Sequence, residues 1–220
     1  MKKILFQGDS ITHAHRRPEE VNPAFQLGGG FAFLVAARLS RDYSDNGWEF
    51  INQGECGHGV RDLVSRWEAD ALAHAPDVLS LLVGINDTVK AMRGHKGVDD
   101  VEFASAYRQL LEGFSSPPVS FLLEPFLLET GDVTSEWRSH IRPRQEAIRQ
   151  IAEESGQVFV PLQERFDEVA RTTPAERWLV DGFHPTHTGF QLIADAWLEA
   201  FSGRFPMLSA LSEEADVVAR

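Results

Sequence analysis

Ser10 follows a glycine and an aspartate at the point where the first apolar run, Ile4-Leu5-Phe6, breaks off. A serine hydroxyl is a weak nucleophile until a base takes its proton. His184 can be that base, because an ordinary imidazole titrates near neutrality. Asp181 stands three residues earlier, in Asp181-Gly182-Phe183-His184-Pro185, and can fold back to fix the tautomer of the ring. A tetrahedral intermediate also needs donors aimed at its oxyanion. The backbone N–H groups of Ser10 and Gly57 and the side-chain amide of Asn86 are the candidates. Glycine at position 57 permits a close backbone approach. These residue types together suit acyl transfer.

Each stretch also has a plainer reading. Gly8-Asp9-Ser10 is an ordinary turn composition. Asn86-Asp87 fits an Asx turn, and Asp181 and His184 fit a loop that caps the following helix. Taken singly these readings compete; taken together the set is harder to reduce to turns. Asp87 and Asp9 are read as turn-forming groups that bond loop backbone, with Asp9 also beside the nucleophile.

The candidates lie far apart in sequence, so the fold must gather them. Apolar runs and helical spacings alternate along the chain. Strands are expected at 4–6, 49–52, 78–83, 119–123 and 158–160. The run at 78–83 is continuously apolar, as in a strand buried on both faces. Helices are expected from Phe31, whose register continues through Leu34, Val35 and Leu39, and at 60–73, 102–114, 135–155, 162–172 and 188–201. Pro143 marks a kink in the 135–155 helix or its true start. Residues 7–29 read as one long loop, and 84–87 as a turn. Strands alternating with helices predict a parallel sheet covered on both faces. The favoured architecture is a single flavodoxin-like α/β domain over residues 1–203. It has three layers, α/β/α, and a five-stranded parallel sheet of order 2-1-3-4-5. Residues 204–220 form a tail, packed on the domain or on a partner subunit. In this order Ser10 and Asn86 flank the switch point between the first and third strands, where open α/β sheets bind ligands.

Composition narrows the partners. The formal net charge is −12, which argues against nucleic acid and anionic membrane, both of which reward clustered Lys and Arg. One cysteine excludes an internal disulfide framework, and Cys56 is expected as a small buried filler. Lys2 and Lys3 precede only three apolar residues, so a cytoplasmic location is expected. Gly28-Gly29-Gly30 lacks the spacing of a dinucleotide fingerprint and reads as a flexible helix entry. His13, His15 and Asp9 lack a further ligand motif, so neither a metal nor a cofactor is expected. Candidate substrate contacts are Asp9, His13, Phe126, Trp137 and Val180. Trp137, Arg138, Trp178 and the 13–29 loop could line a sugar platform, although each tryptophan is equally open to a core or interface reading.

Four blocks occur in order: Gly8-Asp9-Ser10-Ile11-Thr12, the turn around Gly57, Gly84-Ile85-Asn86-Asp87, and Asp181-Gly182-Phe183-His184-Pro185. In these the chain resembles the SGNH hydrolases, also called GDSL esterases. The resemblance runs from about residue 4 to residue 201. It implies a serine esterase with Ser10, Asp181 and His184 as triad and Ser10, Gly57 and Asn86 in the oxyanion hole. The second block departs from the usual Ser-Gly-x-Thr: Cys56-Gly57-His58-Gly59 has no hydroxyl at either end. Phe25 to Phe31 with its glycines, Val60-Arg61-Asp62-Leu63, Arg66-Trp67-Glu68 and Pro125-Phe126 resemble bacterial intracellular acetylxylan and acetyl-xylooligosaccharide esterases. That likeness implies deacetylation of short sugar esters, with a small acetylated sugar as partner, and a homo-oligomer. The alternatives are a lysophospholipase or thioesterase acting on longer acyl chains, and a catalytically idle carbohydrate-binding domain.

Overall fold

Ile4, Leu5 and Phe6 have no exposed surface in strand β1 (Lys2–Gly8) of the computed structural model, which describes residues 2–43 and 47–206. Successive strand side chains point to opposite faces, so a run buried at every position must be covered on both. β3 (Val78–Leu82) is likewise buried along its whole length. β2 (Trp48–Asn52) lies at an edge and is only partly covered until Asn52. β4 (Val119–Leu123) and β5 (Val158–Val160) complete the sheet. Every pairing is parallel and the order is β2-β1-β3-β4-β5, as expected. The register sets Gly8 beside Leu82, so β1 and β3 end side by side.

Two apolar clusters sandwich the sheet. Ile4 and Phe6 face one, with Phe31, Phe121, Trp197 and Phe201 beneath α3 (Phe31–Asp42) and α9 (His187–Arg204). Leu5 faces the other, with Leu63, Trp67, Phe103, Tyr107 and Ile148 from α4 (Val60–Asp70), α6 (Asp100–Leu111) and α7 (Ser135–Ser155). Full burial of such side chains contributes about 1.5–3 kcal/mol each, which favours this face assignment over any slip of register by one residue. Caps fix the helix ends: Asp99 accepts from Glu102 N at 2.7 Å before α6, and Gly156 ends α7 at φ 66°. α7 runs through Pro143 without a break, and the Arg144 side chain folds back along it to donate to the His140 carbonyl. α8 (Gln163–Ala170) follows β5.

Three helices fall where the sequence reads as loop or turn: α1 (Ser10–His13), α2 (Pro23–Gln26) and α5 (Ile85–Met92). α1 and α2 are single turns, too short to show an apolar period. α5 begins inside the expected turn, straight after Gly84 at φ 131°. Most of the expected C-terminal tail, residues 207–220, lies outside the described residues. Among the described residues, no helix is long and apolar enough to cross a membrane.

Candidate active site

All the strands point one way, so the turns that follow β1, β2 and β3 meet at one rim. Asp9 caps α1, its Oδ1 accepting from Ile11 N at 2.9 Å, and this turns the chain so that Ser10 opens the helix. The Ser10 N–H is one of those that a first helical turn leaves without an intrahelical acceptor. Asn52, at the end of β2, ties this turn down by donating to Thr12 O at 2.7 Å and Leu27 O at 2.8 Å.

The 181–184 loop arrives from the other end of the chain. Its ends are joined by the Leu179–Pro185 bridge and by Val180 N donating to His184 O at 2.8 Å. His184 Nε2 lies 2.8 Å from Ser10 Oγ, and His184 Nδ1 lies 2.7 Å from Asp181 Oδ2. The other Asp181 oxygen accepts from His184 N at 2.9 Å. Partial burial pushes the Asp181 carboxyl up, but the hydrogen bonds from the His184 ring and N–H outweigh it and hold the group below the ordinary carboxylate range. With Nδ1 donating to Asp181, Nε2 faces Ser10 as an acceptor. The His184 and Asp181 side chains are 41% and 45% exposed, so the rim is open to a substrate from solvent.

The turn between β2 and α4 is braced on several sides. Glu55 N donates to Gly8 O at 3.1 Å, and Arg16, itself ion-paired with Glu55, donates to Gly54 O at 3.0 Å. Asn86 Nδ2 donates to His58 O at 3.0 Å, placing the amide beside the turn that holds Gly57. Gly57 needs glycine for its left-handed backbone at φ 79°, while a Cβ there would meet open space. The expected reason, close approach, applies instead at Gly59, where a Cβ would lie 2.6 Å from Asp87 Oδ1. Asp87 accepts from Val60 N at 3.1 Å, a backbone-bonding role.

Beneath the rim lie two buried carboxyls. Complete burial pushes Asp9 up to about 7 against the pull of the Ile11 N–H, and the nearby Asp87 adds to the rise. Burial raises Asp87 as well, opposed by Val60 N–H, Arg144 and Lys90. Asp9 Oδ2 has no hydrogen-bond partner among the described residues.

The expected substrate contacts separate sharply. Asp9 and Phe126 have no exposed surface: Phe126 stacks on Phe166 in the core at 4.2 Å. Neither presents a face to a ligand. Trp137 is also buried and stacks at 6.3 Å on Phe183, whose ring lies 4.6 Å from that of His184. It thus supports the imidazole from behind. Arg138 is engaged by Asp167 at 2.7 Å and Glu129 at 3.2 Å, and the half-buried Trp178 donates from Nε1 to Thr173. Val180 remains, 66% exposed beside Asp181. His13 is half-buried and its Nδ1 accepts from His15 N at 3.1 Å; burial and Arg16 lower its pKa. Cys56 is exposed, not buried, because the turn carries it away from the core; desolvation and the Glu55 and Asp9 carboxylates raise its thiol. Among the described residues no group of three His, Cys, Asp or Glu side chains could hold a metal ion. Sequence reasoning missed Arg66, His58, Phe183 and Asn52 as supports. Phe183 and His58 sit inside recognised blocks; Arg66 and Asn52 act over distances that local pattern does not show.

Known proteins resemble this chain in sequence and in fold. Residues 6–192 match the model of the GDSL-like lipase/acylhydrolase family. The chain is 34% identical over 204 residues to an acetylxylan esterase of Geobacillus stearothermophilus, covering 90% of this chain and 92% of that protein. The crystal structure of an acetylxylan esterase from that organism has a TM-score of 0.82 at 33% identity, over 90% of this chain and 93% of the other. Its catalytic mutants replace a serine, and an aspartate and a histidine three positions apart, by alanine. A structure from Parabacteroides merdae, described as a GDSL-like lipase, has a TM-score of 0.85 at 35% identity, over 90% of this chain and 94% of that one. By its matched length, sheet order and relatives, this chain belongs to the GDSL-like lipase/acylhydrolase family and is a carboxylic ester hydrolase.

Proposed function

We propose that the chain is a serine esterase that removes small acyl groups, acetyl foremost, from short acetylated carbohydrates through an acyl-enzyme intermediate. The observation that carries this reading is the continuous hydrogen-bonded line from Ser10 Oγ through the His184 ring to Asp181. In the mechanism, His184 Nε2 takes the Ser10 proton as the hydroxyl attacks the ester carbonyl. Asp181 holds the ring in the tautomer that leaves Nε2 free and stabilises the imidazolium. The N–H groups of Ser10 and Gly57 and the Asn86 amide receive the oxyanion. As the C–O bond breaks, the imidazolium protonates the departing sugar oxygen, which leaves as a hydroxyl, and a water activated by the same ring then attacks the acyl-serine and releases the acid. No metal or cofactor enters this scheme.

The catalytic mutants of the Geobacillus esterase support the serine, aspartate and histidine roles, and the name of that enzyme supports acetylated xylan fragments as the substrate class. Val180 and His13 are the proposed rim contacts. Acetate release from acetylated xylo-oligosaccharides, set beside acetylated pectin fragments and a chain-length series of p-nitrophenyl esters, tests the reading. Turnover that peaks at octanoate or longer overturns it in favour of a lysophospholipase or thioesterase. Sugar binding without turnover, unchanged by Ser10→Ala, identifies an idle binding domain. We also infer self-association, supported by Phe25 and Phe33, which stand 51% and 36% exposed around one cavity; light scattering of the purified chain tests it.

A further inference from the structure

Arg66, on α4, is a charged side chain only 13% exposed. Nη2 donates to Gly8 O at 3.1 Å, Nη1 to Gln53 O at 2.8 Å and to Asp70 Oδ2 at 2.9 Å, and Nε to His58 Nδ1 at 3.1 Å. The acceptors are not a random set. Gly8 ends β1, two residues before Ser10. Gln53 opens and His58 closes the segment that carries Gly57. The His58 carbonyl in turn receives the Asn86 amide at 3.0 Å. One planar guanidinium thus joins the stems of Ser10 and Gly57 directly and reaches the Asn86 amide through His58. Its fixed fork of five N–H donors suits this work better than a point charge on a flexible stem.

The contact also sets His58. A ring nitrogen that accepts from Arg66 Nε carries no proton, so the neutral ring is protonated on Nε2, and its plane is fixed by the bond. Hydrogen bonds from an ionised donor are about twice as strong as neutral ones. Asp70 balances the charge, so the clasp adds little net field at the rim. This supplies what the sequence of the turn lacks: with no hydroxyl at position 56 or 59, the turn is held from outside, by Arg66 at the Gln53 carbonyl and the His58 ring and by Asp62, which accepts from Gly59 N at 2.8 Å.

We propose that Arg66 is a positioning residue for the oxyanion turn, setting where the Gly57 N–H and the Asn86 amide stand relative to Ser10. The proposal rests on the reading of Gly57 and Asn86 as oxyanion donors. Arg66 touches neither substrate nor reacting atoms. It acts on the transition state, where donor placement counts, and leaves ground-state binding alone.

The test measures kcat, KM and Tm for Arg66→Met, Arg66→Lys, Asn86→Ala and the double variant Arg66→Met/Asn86→Ala on p-nitrophenyl acetate. A displacement of about 1 Å costs on the order of 10²-fold, so Arg66→Met lowers kcat by roughly 10–10²-fold and leaves KM nearly unchanged. Guanidinium ion restores part of that loss without affecting the parent enzyme. Arg66→Lys keeps the charge but loses the fork, so it stays slow; it carries the measurement if Arg66→Met fails to fold. The double variant loses less than the product of the single losses, because both changes disable one turn. Multiplicative losses, or a fall in Tm with kcat intact, overturn the proposal and leave the oxyanion reading standing. If Asn86→Ala is also fully active, the oxyanion reading itself fails and the proposal falls with it.

Discussion

Ser10 Oγ and His184 Nε2 lie 2.8 Å apart although 174 positions separate them along the chain. Such proximity is built by the sheet, which delivers Ser10 at the end of a central strand, and by α9, whose start carries the 181–184 loop to the same rim. The rim is built from both ends of the polypeptide.

Replacing either partner should remove turnover while the fold survives, since neither side chain belongs to an apolar cluster. Ser10→Ala and His184→Ala should each lower kcat by roughly 10⁴–10⁶. Steady-state kinetics with p-nitrophenyl acetate, beside circular dichroism spectra matching the parent, checks this. Retention of a tenth of the activity would remove the proposed nucleophile or base.

Asn86→Ala should cost about 10²–10³ in kcat, the usual loss for one oxyanion donor. The amide also holds the His58 carbonyl, so the variant should lie toward the larger figure. Asn86→Asp keeps the volume but trades the donor for a charge, and it should be no better than alanine.

Activity should fall as the pH is lowered, because a protonated imidazole cannot accept the Ser10 proton. Asp181→Asn should reduce kcat by about 10⁴ through loss of the correct tautomer. The same carboxyl is linked to stability. Its pKa lies below the ordinary range in the folded chain, so its contribution is present above that range and is lost as the pH falls through the folded value. The group is nearly half exposed, so the effect is small. Denaturant titrations at pH 7 and pH 3 should show the parent–variant difference narrowing at the lower value, as the pH drops below the ordinary carboxylate range.

Asp9 carries the opposite sign. Its pKa is raised from 3.8 to about 7, so its favourable contribution is complete below 3.8 and is lost as the pH climbs through about 7. Asp9→Asn keeps an oxygen for the Ile11 N–H and removes the titration. The parent should therefore lose stability relative to this variant between pH 4 and pH 8. Midpoints of urea unfolding at both values decide it; a constant difference would mean that Asp9 is not held protonated.

Much of this arrangement was legible in the residues. The buried run of β3, the strand order and the four blocks were all visible, because each rests on local composition or on a simple rule of parallel sheets. α5 was not, because Gly84, Asn86 and Asp87 are turn formers and the helix they open is short. Phe126, expected as a substrate contact, is fully buried and stacks on Phe166, because the chain turns inward after β4. Arg66 carries no local sign of its role: an arginine on an amphipathic helix ordinarily faces water, and only the closure of β1 and β2 above it supplies the carbonyls it binds.

The bridge between Leu179 and Pro185 closes the 181–184 loop upon itself, and Asp181 grips His184 through both ring and backbone. Acid and imidazole are therefore held as one small cassette, whose placement reduces to its distance from the serine. A lineage that remodels the surrounding loops for a bulkier alcohol can shift or regrow everything around this hairpin without having to reinvent the pairing inside it.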